Sequence, residues 1–165
     1  MVPESQLVYP RCMPSRSRRW LRRTAIALGC LVGLFGLVQI VPYGRTHSNP
    51  AVLGEPTWDS PRTRELAVQA CFDCHSNETR WPWYADVAPF SWVVQQDVDG
   101  ARETLNFSEW TRPQDLAQES GPSIIRGDMP PYKYRQAHPE ANLSHAETVE
   151  LARGLNKTLG ARGRI

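Results

Sequence analysis

The sequence predicts an all-α body preceded by a single N-terminal transmembrane helix. Residues 24–41 form an 18-residue run without a charged side chain. Beyond it, apolar residues recur at three- and four-residue spacing behind helix start signals, and strand-like alternation is absent. Charge divides at the same boundary. Residues 1–23 carry six Arg against one Glu, a net +5, and the chain from Tyr43 onward carries 13 Lys or Arg against 16 Asp or Glu, a net −3. A basic tip on a mildly acidic body is not the footprint of a nucleic-acid binder, which needs a basic patch on its folded part.

The first element is therefore read as a basic cytoplasmic tip, residues 1–23, followed by an anchor over residues 24–42. Thr24–Val41 is just long enough, at about 1.5 Å per residue, to cross a bilayer core of about 30 Å. Gly29, Gly33 and Gly36 are tolerated in membrane helices, and Gln39 lies near one end, close to water. Arg16, Arg18, Arg19, Arg22 and Arg23 crowd the N-terminal side. The positive-inside bias then places the N-terminus in the cytoplasm and the C-terminal body across the inner membrane. A cleaved signal peptide is the competing reading, but the run is long for an h-region and no A-x-A-like site follows it. Residues 1–12 read as unstructured, and Met13 is an alternative start.

Residues 43–58 are rich in Pro, Gly, Ser and Asn and read as a linker lifting the body off the membrane. The body, residues 59–165, opens with Ser60-Pro61, a capping Ser before Pro at the first helical position. That helix places Leu66, Ala67, Ala70 and Cys71 on one face and runs into Cys74-His75. Residues 77–89 are aromatic and broken by Pro, so they read as a packed loop, with Trp81, Trp83 and Tyr84, like Trp92, mostly in the core and some of them expected to wall a cofactor. A second helix is expected over residues 90–105, with Trp92, Val93, Ala101 and Leu105 inward. A weaker one spans residues 113–126, interrupted at Gly121-Pro122. The last starts at the capping box Ser144-His145-Ala146-Glu147 and buries Val149, Leu151, Ala152, Leu155 and Leu159.

Within this frame Cys71-Phe72-Asp73-Cys74-His75 is C-x-x-C-H, the attachment pattern of a c-type haem. Two thiols nearly one helical turn apart can each add to one vinyl group of the same porphyrin, and the next residue sets an imidazole under the iron. Cys12 and Cys30 fall in the tip and the anchor, so these two are the only cysteines of the exported part. A thioredoxin-like pair wants a βαβ context, and a zinc site wants a second ligand pair at finger-like spacing; neither is present in the sequence. For the opposite face of the iron the candidates are Met129, His138 and His145. Met129 is preferred: Gly127 ends a helix before it and Pro130-Pro131 stiffen the loop after it, which spares ordering entropy at a ligand. His138 comes next. Four Asn-x-Ser/Thr patterns, at Asn77, Asn106, Asn142 and Asn156, read as chance.

From about Tyr43 onward the chain resembles the bacterial haem-binding domain family, small proteins related to class I cytochromes c. The resemblance rests on Trp58-Asp59-Ser60-Pro61, on residues 71–79 with the C-x-x-C-H, and on Trp81-Pro82-Trp83-Tyr84. It continues in Pro89-Phe90-Ser91-Trp92, residues 105–110, Gly127-Asp128-Met129-Pro130-Pro131 and His138-Pro139-Glu140-Ala141. It implies a cytochrome c-like helical domain with one covalent haem c on Cys71 and Cys74, His75 below the iron and Met129 above it. The expected function is one-electron transfer with redox partner proteins outside the cytoplasm. The alternative is a haem-based sensor or small peroxidase-like enzyme with a displaceable distal ligand. Against the alternative, the sequence has no Arg-x-x-x-His distal pattern and no signalling domain.

Overall fold

The computed structural model describes residues 16–160, so most of the expected basic tip, with Cys12 and Met13, lies outside the described residues. The chain divides into two units, residues 1–41 and 42–165. In the first, α1 (Arg16–Val38) takes in the Arg cluster as well as the apolar run. Arg, Leu and Ala are strong helix formers and nothing between them breaks the helix. It ends ahead of Val41-Pro42, where the residue before Pro is pushed out of helical geometry. Ser17–Val38 is long and apolar enough to cross a membrane.

The second unit is helical, and among the described residues no strand forms beyond one isolated bridge between Gly54 and Glu109. Its helices are α2 (Pro61–Ala70), α3 (Phe72–His75), α4 (Phe90–Thr104), α5 (Ser120–Arg126), α6 (Tyr132–Ala137) and α7 (His145–Leu159). Single 3-10 turns cover Trp83–Asp86, Ala117–Glu119 and Pro139–Ala141. Both predicted start signals are present. Ser60 caps α2, accepting from the Thr63 N–H with Pro61 at the first position, and Ser144 with Glu147 forms the capping box of α7. Each such cap contributes about 1 kcal/mol.

The core gathers Leu66 and Ala67 of α2, Phe72 of α3, Ile124 of α5, and Leu151, Ala152 and Leu155 of α7, with Leu105, Phe107 and Ala117 from the connections. Trp58, Phe72 and Phe107 pack as an aromatic trio with centroids 5.3–6.3 Å apart. α2 and α7 approach so closely that a Cβ on Gly154 would overlap the Thr63 side chain, with even Thr63 Cβ only 2.9 Å away. Thr63 is buried and β-branched, so it has little room to turn aside. Gly154→Ala is expected to lower stability by about 1–3 kcal/mol, the usual cost of overpacking. A thermal melt reads this, and Thr63→Ala in the same chain should recover part of the loss.

Several expectations change. α2 does not run into His75: Cys71 takes φ −125°, breaking the helix, and α3 restarts at Phe72. The break lets Phe72 enter the core while Asp73 turns to polar partners. The third helix is only α5, because Gly121-Pro122 start it; Pro is well placed in a first turn, where its missing N–H has no partner to lose. Gly127, with φ 79°, ends it as expected. α6 was not foreseen. On α4 the buried residues are Ser91, Gln95 and Val98, whereas Val93 is exposed. Trp83, one of the aromatics expected mostly in the core or walling a cofactor, is 79% exposed and so is not in the core.

Residues 43–58 have no helix, but they are not a free spacer. Leu53 and Gly54 N–H groups donate to the Ser108 carbonyl, Trp110 N–H donates to Gly54, and the Asn49 amide donates to Thr79 at 2.9 Å. His47 stacks on Trp81 with centroids 4.8 Å apart. The Pro and Gly residues that suggest a linker equally suit an extended strap, whose backbone groups find partners on the body.

Candidate functional site

The turn bearing Cys71, Cys74 and His75 is held from three directions. Phe72 anchors it in the core, and the Phe107 N–H donates to the His75 carbonyl at 2.8 Å. The third hold is a buried polar cluster. Ser76 Oγ donates to Phe72, Asn77 N–H donates to Ser108 Oγ, and the Asn106 amide donates to Asn77 Oδ1 at 2.9 Å. Asn77 and Asn106 are buried and their amide nitrogens are occupied, which agrees with reading their sequons as chance.

His75 Nδ1 donates to the Leu105 carbonyl at 3.0 Å. A carbonyl accepts only from N–H, so this bond assigns the proton to Nδ1 and leaves the Nε2 lone pair free, the usual support of a ligating histidine. Burial holds its pKa below the usual imidazole value, against the pull of the Leu105 and Ala101 carbonyls. The ring is neutral at pH 7 and can donate its lone pair. Cys71 and Cys74 are both free thiols. Burial pushes Cys71 up to about 12, and burial, with the nearby carboxylates of Asp97 and Asp73, pushes Cys74 up to about 11.

The other histidines serve elsewhere. His138 Nε2 pairs with the Tyr84 hydroxyl at 2.8 Å and Nδ1 with Glu140 at 3.0 Å, so neither ring nitrogen is free. Its side chain is largely covered, stacked on Tyr134 at 4.3 Å. His47 Nε2 meets the Ala85 carbonyl, and His145 is exposed at the start of α7. Met129 lies in the loop between α5 and α6, 40% exposed and outside the core cluster.

Two residues that the sequence did not single out shape the site. Arg102 of α4 donates to the carbonyls of Ser76 and Ser48, to Asn49 Oδ1 and to Thr79 Oγ1, locking the strap, the loop after His75 and α4 together. Asp73 receives Arg80 and Tyr134. Burial alone would raise its carboxyl; the donors outweigh it and hold the pKa below the usual range. No spacing rule marks either residue, because their partners are remote in sequence.

The family model of the haem-binding domain matches residues 33–157, well over half of the chain. The chain belongs to the haem-binding domain family. No curated protein and no solved structure matches it.

The site suits a haem. Among the described residues no three His, Cys, Asp or Glu side chains converge to hold a bare ion. Cys71, Cys74 and His75 therefore do not form a zinc cage, but they suit a metal that arrives inside its own ring. Phe90, Val93, Met129 and Tyr132 leave large apolar surface uncovered. They lie on α4, on α6 and in the loop before α6, and Asp97 of α4 pairs with Lys133 of α6 at 2.7 Å. The charges of Asp97 and Lys133 also reach Cys74. Exposed apolar surface of this kind is what a flat apolar ligand can cover. A groove between α2 and α7, lined by Asp59, Thr63, His145 and Gly154 among others, contains none of the three motif residues.

Proposed function

We propose that this haem domain is a membrane-anchored c-type cytochrome that carries one covalent haem and passes single electrons on the extracytoplasmic side of the inner membrane. The observation that carries the reading is the attachment turn: two free thiols and an imidazole whose Nδ1 is fixed to Leu105, so that Nε2 alone is offered. In this reading Cys71 and Cys74 would hold the group through thioether bonds, and His75 and Met129 would supply the ligands of its iron. The group itself supplies reversible one-electron chemistry. The chain's own task is to keep that chemistry closed. Leu105 fixes the His75 ring, Arg102 and the Asn77–Ser108 cluster hold the turn, and Pro130-Pro131 stiffen the loop bearing Met129. Its partners in this reading are redox proteins.

Pyridine haemochrome and reduced-minus-oxidised spectra test this on protein made with cytochrome c maturation. A spectrum of two thioether-modified vinyls, one haem per chain, is expected; a spectrum of unmodified vinyls overturns covalent attachment. The half-exposed position of Met129 favours one second reading, a sensor or peroxidase-like protein whose distal ligand leaves. Ready binding of carbon monoxide by the parent protein supports that alternative.

Topology follows from the Arg cluster that precedes the apolar run. An alkaline phosphatase fused after Gly160 is expected to be active. An inactive phosphatase, with an active cytoplasmic reporter at the same point, reverses the orientation.

A further inference from the structure

Asp73 stands at an unspecified position of the C-x-x-C-H pattern, yet it is only 7% exposed. Its Oδ1 accepts from Arg80 N–H at 3.1 Å and Arg80 Nε at 3.0 Å, and its Oδ2 accepts from Arg80 Nη2 at 2.9 Å. The same Oδ2 accepts the Tyr134 hydroxyl at 2.7 Å, across 61 residues of sequence. Tyr134 lies in the first turn of α6, and Pro131 is the N-cap of that helix. Between Met129 and Tyr134 there are thus two prolines with fixed φ and the opening of a helix, a short and stiff connection. The Tyr134 ring is held in turn by its stack on His138, which Tyr84 and Glu140 fix at both nitrogens.

We propose that the Tyr134–Asp73 hydrogen bond is the positioning device of the iron site, tying the loop that bears Met129 to the turn that bears Cys71, Cys74 and His75. The inference rests on the His75/Met129 reading above. Two ligands facing one iron from separate segments need those segments kept in register, and Tyr134–Asp73 joins them through a covered carboxylate. Lys133 and Asp97 link α6 to α4 nearby, but both are exposed, and surface ion pairs contribute little. A hydrogen bond to a carboxylate is strong enough to set a loop equilibrium, because removing it shifts the open population by roughly tenfold or more.

The test uses the full chain carrying its haem. Tyr134→Phe removes one hydroxyl and keeps the ring packing. It is expected to leave haem staining on denaturing gels unchanged, to weaken the near-red band of the oxidised protein, to lower the potential and to raise carbon monoxide binding by roughly tenfold. Asp73→Ala should do at least as much, since it also takes the acceptor from Arg80, and adding Tyr134→Phe to it should change nothing further, because the tie is already broken. Lys133→Ala should match the parent. Asp73→Asn keeps an oxygen for Tyr134 and serves if Asp73→Ala fails to fold; it should remain largely closed. Tyr134→Phe and Asp73→Ala that exclude carbon monoxide as the parent does overturn the tie and leave the axial reading intact. A parent that itself binds carbon monoxide readily overturns the closed site, and the tie with it.

Discussion

Replacing Cys71 and Cys74 together by serine is expected to remove all haem that survives a denaturing gel. Each attachment adds a thiol S–H across one vinyl C=C, sulfur to one carbon and hydrogen to the other, so the bond needs no oxidant and cannot form from a serine hydroxyl in its place. Single replacements should leave a haem held by one bond, with a pyridine haemochrome spectrum shifted toward that of an unmodified vinyl. The double variant keeps His75 and its bond to Leu105, so haem is expected to be retained reversibly in native protein and lost on denaturation. That difference separates covalent attachment from ligation. Peroxidase staining that persists in the double variant refutes the covalent reading, while leaving the family's haem binding in place.

Met129→Ala is expected to open the iron. A ligand bond that favours the closed form by about 3 kcal/mol keeps the open population near about 1%, so its loss raises carbon monoxide binding roughly 100-fold. A thioether stabilises reduced iron, so the near-red band should vanish and the potential should fall. Met129→His should restore six-coordination at a lower potential. His138→Ala should open the iron far less than Met129→Ala, because both His138 nitrogens are already committed to Tyr84 and Glu140 and only its stack on Tyr134 is lost. If His138→Ala opens the iron and Met129→Ala does not, the axial ligand has been misassigned, and Pro130-Pro131 are only structural.

The haem-binding family was legible in the sequence, because the C-x-x-C-H pattern of residues 71–75 and the motifs around it are local spacings that can be read without any packing. The long apolar N-terminal helix, the two N-caps at Ser60 and Ser144 and the apolar face of α7 were legible for the same kind of reason: composition, capping and periodicity act over a few residues. What only the tertiary structure decided is how the motif turn is held. The break at Cys71 follows from sending Phe72 into the core and Asp73 the other way. The ring orientation of His75 depends on a carbonyl 30 residues away, and the tie from Asp73 on a hydroxyl 61 residues away. Arg102 converts residues 48–49 from an expected spacer into part of the site. These pairings join segments remote in sequence. Their energies arise from burial and from satisfying polar groups away from water, conditions that exist only after the helices have packed.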